Sequence, residues 1–344
     1  MAYVEPSFLK TTHGRFGCIH CHGGNNRDAR KEVAHQGKKS PSIPMEIERL
    51  CASCHKKIFE AYRTSLHATF RGAYTVMHKR AGEKWPSVKP AIDKACFKCH
   101  ASCGGCHIFR EGPGGGGLFG GHKFFKRPPM NQSCDGCHGG RVGMEYFGRI
   151  EGNEPDVHWE KHKMECMECH GVTEFHGDGK TYPTRFERET KPSCLKCHPD
   201  AAPGRSKLLS HNVHGDKLSC YVCHSQSYKT CYGCHVGKGS NSETEFKIGK
   251  DIRSEGKFTL LRHVPTTRTM LKAHVPDAMP NYDDLPTWKK AAPHNIRRIT
   301  KQNQSCNHCH GNAEIFLTKG NLDPRYPKSN AKVAVEKPPE RRSQ

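Results

Sequence analysis

All twenty cysteines of this 344-residue chain fall into ten Cys-x-x-Cys pairs, and a histidine follows each pair at once. In order they are Cys18/Cys21/His22, Cys51/Cys54/His55, Cys96/Cys99/His100, Cys103/Cys106/His107 and Cys134/Cys137/His138. The second five are Cys166/Cys169/His170, Cys194/Cys197/His198, Cys220/Cys223/His224, Cys231/Cys234/His235 and Cys306/Cys309/His310. Two thiols three residues apart can add to the vinyl groups of a haem as thioethers, and the imidazole beside them then reaches the iron. Zinc ribbons use Cys-x-x-Cys without needing histidine next, and a thioredoxin-like motif needs one pair. The pattern predicts ten covalent haem c groups with ten proximal histidine ligands. No cysteine remains for a disulfide, another metal or a nucleophile.

The elements that must position these groups are short of apolar material. Only 34% of the chain is hydrophobic and mean hydropathy is −0.80, so porphyrin faces are expected to supply the missing interior. No apolar run approaches the roughly 20 residues of a membrane helix. The formal charge of +21 would suit nucleic acid or an anionic membrane. Twenty propionates against ten irons bring it to about +11 oxidised and about +1 reduced, which makes the basic excess counter-charge and argues against nucleic acid.

Successive first cysteines lie 33, 45, 7, 31, 32, 28, 26, 11 and 75 residues apart, with no exact repeat. The two short gaps, at Cys96/Cys103 and Cys220/Cys231, predict adjacent haems, although Gly104 and Gly105 oppose a continuous helix. The glycine-rich stretch 112–121 lacks the Gly-Lys-Ser/Thr of a phosphate cradle and reads as a loop. Short helices are expected at 52–71 and 157–169, and a short strand at 257–263. The span 236–305 carries no haem motif and is expected to cover haems, donate ligands or meet a neighbouring molecule. The tail 324–344 reads as polar and extended or disordered. The expected architecture is one haem-packed domain over 1–344, mostly loops with short α-helices around a continuous haem stack and very little β-structure. Along it run four motifs (18–107), the glycine-rich loop, five motifs (134–235), the motif-free span and the last motif (306–310).

The ten motifs, spread from Cys18 to His310, resemble those of decahaem c-type cytochromes. The tandem Cys96-Phe-Lys-Cys99-His100-Ala-Ser-Cys103-Gly-Gly-Cys106-His107 is similar to segments of multihaem cytochromes in anaerobes that respire on external acceptors. Size and haem count are similar to those of porin-embedded decahaem conduits, but the spacing is not. The resemblance implies distal histidines a few residues before a motif, where His162, His13 and His214 stand. His158 lies four residues before His162, on one helical face. The further distal candidates are His67, His122, His176, His211, His263, His274 and His294. His20, His35, His78 and His308 complete the fifteen histidines outside the proximal set. Fifteen suffice for bis-histidine ligation of all ten irons. Multihaem nitrite reductases bind substrate at a haem with a lysine proximal ligand, whereas every motif here ends in histidine.

The function these features imply is long-range electron transfer rather than catalysis. Partners would be other cytochromes or further copies of the chain, joined end to end as in extracellular cytochrome nanowires, with an external acceptor such as a metal oxide. The alternatives are a periplasmic electron shuttle, or a multihaem reductase or oxidase with one open iron. Haem is attached to this motif outside the cytoplasm, so an extracytoplasmic site is implied, with the cell surface or exterior favoured. The opening MAYVEPSFLK lacks the basic and apolar regions of a signal peptide and is expected to reflect processing or trimming.

Overall fold

The computed structural model describes residues 4–37, 50–96, 101–110, 115–227 and 245–342. Two compact units emerge, each discontinuous in sequence. The first comprises Met1–Ala73, Asp93–Gly139 and Cys166–Lys191, and the second Tyr74–Ile92, Gly140–Glu165 and Pro192–Gln344.

Short helices and loops make up the first unit. The helix expected over 52–71 is broken: Lys56–Tyr62 ends, and Leu66–Thr69 restarts where the Ser65 hydroxyl accepts from the Ala68 amide at 3.1 Å. The helix Val172–His176 packs on both pieces. Gly177 permits that contact, because at its φ of 79° a β-carbon would collide with the Ala61 carbonyl oxygen. Arg188 fastens the same helix by donating to the carbonyls of Glu174 and Thr173 at 2.9 and 3.0 Å. The described part of the glycine-rich stretch turns back on the fourth motif. Gly115, Gly116 and Gly117 all have positive φ, and Arg110 donates to the Gly117 carbonyl at 2.8 Å.

A three-stranded antiparallel sheet anchors the second unit, with β1 (Lys247–Lys250), β2 (Phe258–His263) and β3 (Trp288–Lys290) in that order. The expected strand at 257–263 is β2, which pairs Leu260 with Ile248 and His263 with Trp288. Both faces of the sheet are covered. Ile248 and Leu260 pack with Val222, Ala291, Phe316 and Val335, while Leu261 and Trp288 pack with Leu317, Val333 and Ala334. The described part of the motif-free span thus carries a polypeptide core of its own.

The tail departs from its expected disorder. Val333, Ala334 and Val335 are all buried. Val335 donates to the Leu317 carbonyl at 2.7 Å, and the Val333 carbonyl accepts from Lys250 at 2.8 Å. Three consecutive small apolar residues in a polar segment suffice to add an edge to the sheet's cover. The helix expected over 157–169 is likewise two, Val157–His162 and Cys166–Cys169, separated where Lys163 takes a φ of 52°.

Lys289 on β3 gives this unit a pH dependence. Burial, reinforced by the nearby cations of Arg80, Arg253 and Lys79, pushes its ammonium down to about 7. Below that pH the folded and unfolded chains both hold the proton; between about 7 and the ordinary 10.5 only the unfolded chain does, so stability rises with pH across this window. Lys289→Met is expected to stabilise the chain at pH 6 by on the order of 2 kcal/mol, a discounted value because water partly reaches the side chain. It should also flatten the rise. Thermal unfolding at pH 6 and pH 9 reads both effects, and an unchanged slope in the variant would contradict the assignment.

Candidate functional site

The motif turns present their chemistry on one side. Cys18–His22, Cys103–His107, Cys134–His138, Cys166–Cys169, Cys194–Cys197 and Cys220–His224 form single helical turns, and Cys306–His308 a 3-10 turn. In the second motif the Cys51 carbonyl accepts from the amides of Cys54 and His55 at 3.2 and 2.8 Å, which closes a similar turn. Thiols at i and i+3 therefore share a face. The fourth motif is started by the Ser102 hydroxyl, which accepts from the Gly105 amide at 2.9 Å. The eighth is nailed to the sheet, because Val222, between its two cysteines, is 1% exposed. The tenth is held by the tail, where the Glu340 carbonyl lies 3.0 Å from His310 Nδ1.

Eight of the anchoring thiols are exposed on the polypeptide. Cys54 and Cys137, the second thiols of the second and fifth motifs, are exposed on the polypeptide, as are Cys18, Cys169, Cys194, Cys197, Cys220 and Cys306. The physical reason is that a motif turn is too short and too polar to cover its own sulfurs. Cys54 has Ser53 beside it, with the hydroxyl 3.9 Å from its sulfur, and Cys137 follows Asp135 and Gly136. Among the described residues both thiols stay exposed, as a porphyrin bonded to them would require.

Opposite seven motif histidines stands a second imidazole. In the first unit His22 faces His122 with ring centroids 6.0 Å apart, His55 faces His13 at 6.3 Å, His107 faces His176 at 6.0 Å and His138 faces His67 at 6.4 Å. In the second, His198 faces His158 at 6.1 Å, His224 faces His211 at 6.0 Å and His310 faces His214 at 6.3 Å. A histidine nitrogen binds a first-row metal at about 2.0–2.1 Å, and the ring centre lies about 1.1 Å further back, so a metal between two imidazoles sets their centroids about 6.3 Å apart. All seven separations, 6.0–6.4 Å, match that spacing.

Several facing rings are kept in the form that ligates. Burial pushes His67 down to about 4, helped by the neighbouring His138 and Arg188. His13, His122 and His176 are also lowered, first by burial and then by the histidine each one faces. Neutral imidazoles are what a metal needs.

The other expected distal residues are placed differently. His263 is 2% exposed in the sheet core, against Trp288 and Tyr326, and its Nε2 lies 3.1 Å from the Thr287 hydroxyl. That nitrogen is engaged by the protein, and the ring fills a core. His294 has its Nδ1 3.0 Å from the Ala292 carbonyl and is half-buried. His162 and His274 are exposed, with no motif histidine opposite among the described residues. His100 and His235, with Cys99, Cys231 and Cys234, lie outside the described residues.

The surroundings suit a flat apolar group. Ile19 and Leu195, each inside a motif, are exposed, as are Phe16, Val172, Leu208, Leu209 and Val213 beside motif or facing histidines. Bulky apolar side chains gathered there supply the faces on which a porphyrin rests.

The family described as "Cytochrome c554 and c-prime" matches residues 50–139. The chain is 31% identical over 172 residues to the cytochrome c-type protein NrfB of Haemophilus influenzae, covering 40% of this chain and 70% of that protein. The chain belongs to the multihaem c-type cytochromes. No solved structure matches it.

As a c-type cytochrome it carries covalent haem c, and its second layer of contacts distinguishes one site from another. His107 donates from Nδ1 to the Phe125 carbonyl at 2.6 Å, His224 to Arg297 at 3.2 Å and His214 to Ser210 at 3.1 Å. His211 Nδ1 meets the Ser206 hydroxyl at 3.0 Å. Each such bond leaves the Nε2 lone pair for a metal. Two rings meet carboxylates instead: His158 Nδ1 lies 2.8 Å from Asp156 Oδ1, and His170 Nδ1 lies 3.1 Å from Glu174 Oε2. The Asp156 hydrogen bond raises the basicity of the His158 ring against the opposing effect of burial. The Nδ1 atoms of His67 and His122 are buried with no hydrogen-bond partner among the described residues.

The sequence reading missed Asp156 and Glu174. Their signals are the Asp-x-His of 156–158 and the i,i+4 spacing of His170 and Glu174.

Proposed function

We propose that the cytochrome is an electron carrier with ten haem c groups, seven of them ligated by the facing histidine pairs, that shuttles electrons between partner cytochromes outside the cytoplasm. The seven centroid separations of 6.0–6.4 Å carry this reading. When bound, each haem iron supplies a one-electron Fe(III)/Fe(II) couple of low potential. The paired imidazoles would hold each of these irons from two sides, which would leave small molecules no iron position at these sites. Its carbonyl and carboxylate contacts fix the ring tautomers and set the potentials apart.

The family and the relative support a c-type electron carrier, and neither speaks for a filament of end-to-end copies or for a metal-oxide acceptor. A shuttle is therefore the reading we favour. The net positive charge of the oxidised holoprotein, about +11 once the propionates and irons are counted against the chain's +21, would steer docking on an acidic partner.

Stopped-flow electron exchange between the oxidised holoprotein and a reduced acidic c-type cytochrome tests the shuttle. The second-order rate should fall at least tenfold between 10 and 300 mM salt, with single particles in electron micrographs of the same sample. Ordered filaments, or turnover of nitrite at an open haem, would overturn it.

A further inference from the structure

Thiols of three pairs of motifs touch and those of three further pairs lie within electrostatic reach of one another, and the pattern is not the order of the sequence. In the first unit Cys51 of the second motif hydrogen-bonds with Cys103 of the fourth, and it also lies within electrostatic reach of Cys21 of the first. Cys134 of the fifth motif hydrogen-bonds with Cys166 of the sixth, and Cys106 of the fourth lies close by. In the second unit Cys220 of the eighth motif hydrogen-bonds with Cys194 of the seventh. Cys309 of the tenth has Cys223 of the eighth as a neighbour.

Aromatic and ligand contacts trace the 1–2, 4–5–6 and 8–10 adjacencies independently. Phe124 stacks on His13 of the second site with centroids 4.1 Å apart and meets Phe8, which in turn lies 5.5 Å from His122 of the first. Phe175 follows the same logic: its ring centroid is 5.9 Å from His67 of the fifth site and 6.4 Å from His170 of the sixth, and the next residue is His176 of the fourth. His211 and His214, three residues apart on the helix Leu209–His214, face the eighth and tenth motif histidines.

Thioether sulfurs mark one edge of each macrocycle. Where sulfurs of two motifs meet or lie near each other, those edges are brought close, and electron tunnelling falls exponentially with the gap between edges. Building on the electron-carrier reading above, we infer that electrons pass among the eight described motifs in the order 1–2–4–5–6 within the first unit and 7–8–10 within the second. The direct steps 2–4 and 8–10 depart from sequence order.

Cryo-electron microscopy of the holoprotein with all haems attached tests the order. The expected map has an iron between the two rings of each of the seven pairs, and porphyrin edges in contact at 1–2, 2–4, 4–5, 5–6, 7–8 and 8–10. Irons between the rings but no 2–4 or 8–10 contact would overturn the order and leave the electron-carrier reading standing. A map with no iron between the facing rings would overturn both.

Discussion

Replacing His176 with alanine is expected to turn one haem of the ferric protein from low-spin to high-spin and leave the rest unchanged. His176 faces His107 at 6.0 Å with a half-buried ring. Its helix is held from elsewhere, by Arg188 and by the packing around Gly177, so the change should stay local. The lost axial nitrogen opens one coordination position, which added imidazole or cyanide then fills with recovery of the low-spin spectrum. His176→Met should keep the site six-coordinate and raise its potential. His263→Leu is the contrasting variant. It removes a ring from the sheet core and its contact to Thr287, so it should lower stability by about 1–3 kcal/mol with no change of spin state. Electron paramagnetic resonance reads both variants. A wholly low-spin His176→Ala protein would contradict the ligand assignment.

Asp156→Asn is expected to raise the reduction potential of the seventh site. The carboxylate is 2% exposed and engages three groups: the His158 ring at 2.8 Å, the His158 amide at 2.9 Å and the Ile296 amide at 2.8 Å. A carboxylate on Nδ1 pushes electron density through the imidazole and stabilises the ferric iron, with its extra positive charge, over the ferrous. Exchanging a charge-assisted hydrogen bond for a neutral one removes about 1–2 kcal/mol of that preference. At 59 mV per tenfold for one electron, this is about 40–80 mV upward at one site. The amide oxygen of asparagine still accepts from a backbone amide, so the fold should be largely kept. Potentiometric titration followed by spectroscopy reads the shift, and a downward or absent shift would rule out the carboxylate as the controlling group.

Attachment chemistry was legible in the sequence because it is contiguous: two thiols and an imidazole must lie within five residues to reach one porphyrin edge and its iron. The facing ligands are not contiguous, and counting histidines says nothing of their pairing. His13 stands five residues before the first motif yet faces His55 of the second, and His214 stands six before the eighth yet faces His310 of the tenth. Tertiary path decides these pairs. The glycine turn after the fourth motif, for example, carries the chain back to where His122 meets His22. His263 shows the converse, since residue type alone did not distinguish a ligand from a core ring whose Nε2 is already bonded.

The sheet was half legible. Phe258, Thr259, Leu260 and Leu261 read as a strand from their residue types, whereas the tail's polar average hid Val333, Ala334 and Val335, whose burial depends on contacts with Leu317 and Lys250 far back along the chain. That hidden segment has a functional consequence, because the residues beyond it hold His310 and Asn307 of the tenth motif.

The account rests on pairs of histidines gripping one iron each, and near-infrared magnetic circular dichroism of the ferric holoprotein tests this most directly. Bis-histidine ligation has its own charge-transfer band in that region, and the spectrum integrates to the number of such haems. The account predicts a bis-histidine intensity equal to at least seven haems per chain, against the total haem content measured on the same sample. An intensity below seven, with the balance in high-spin or histidine–methionine bands, would contradict it.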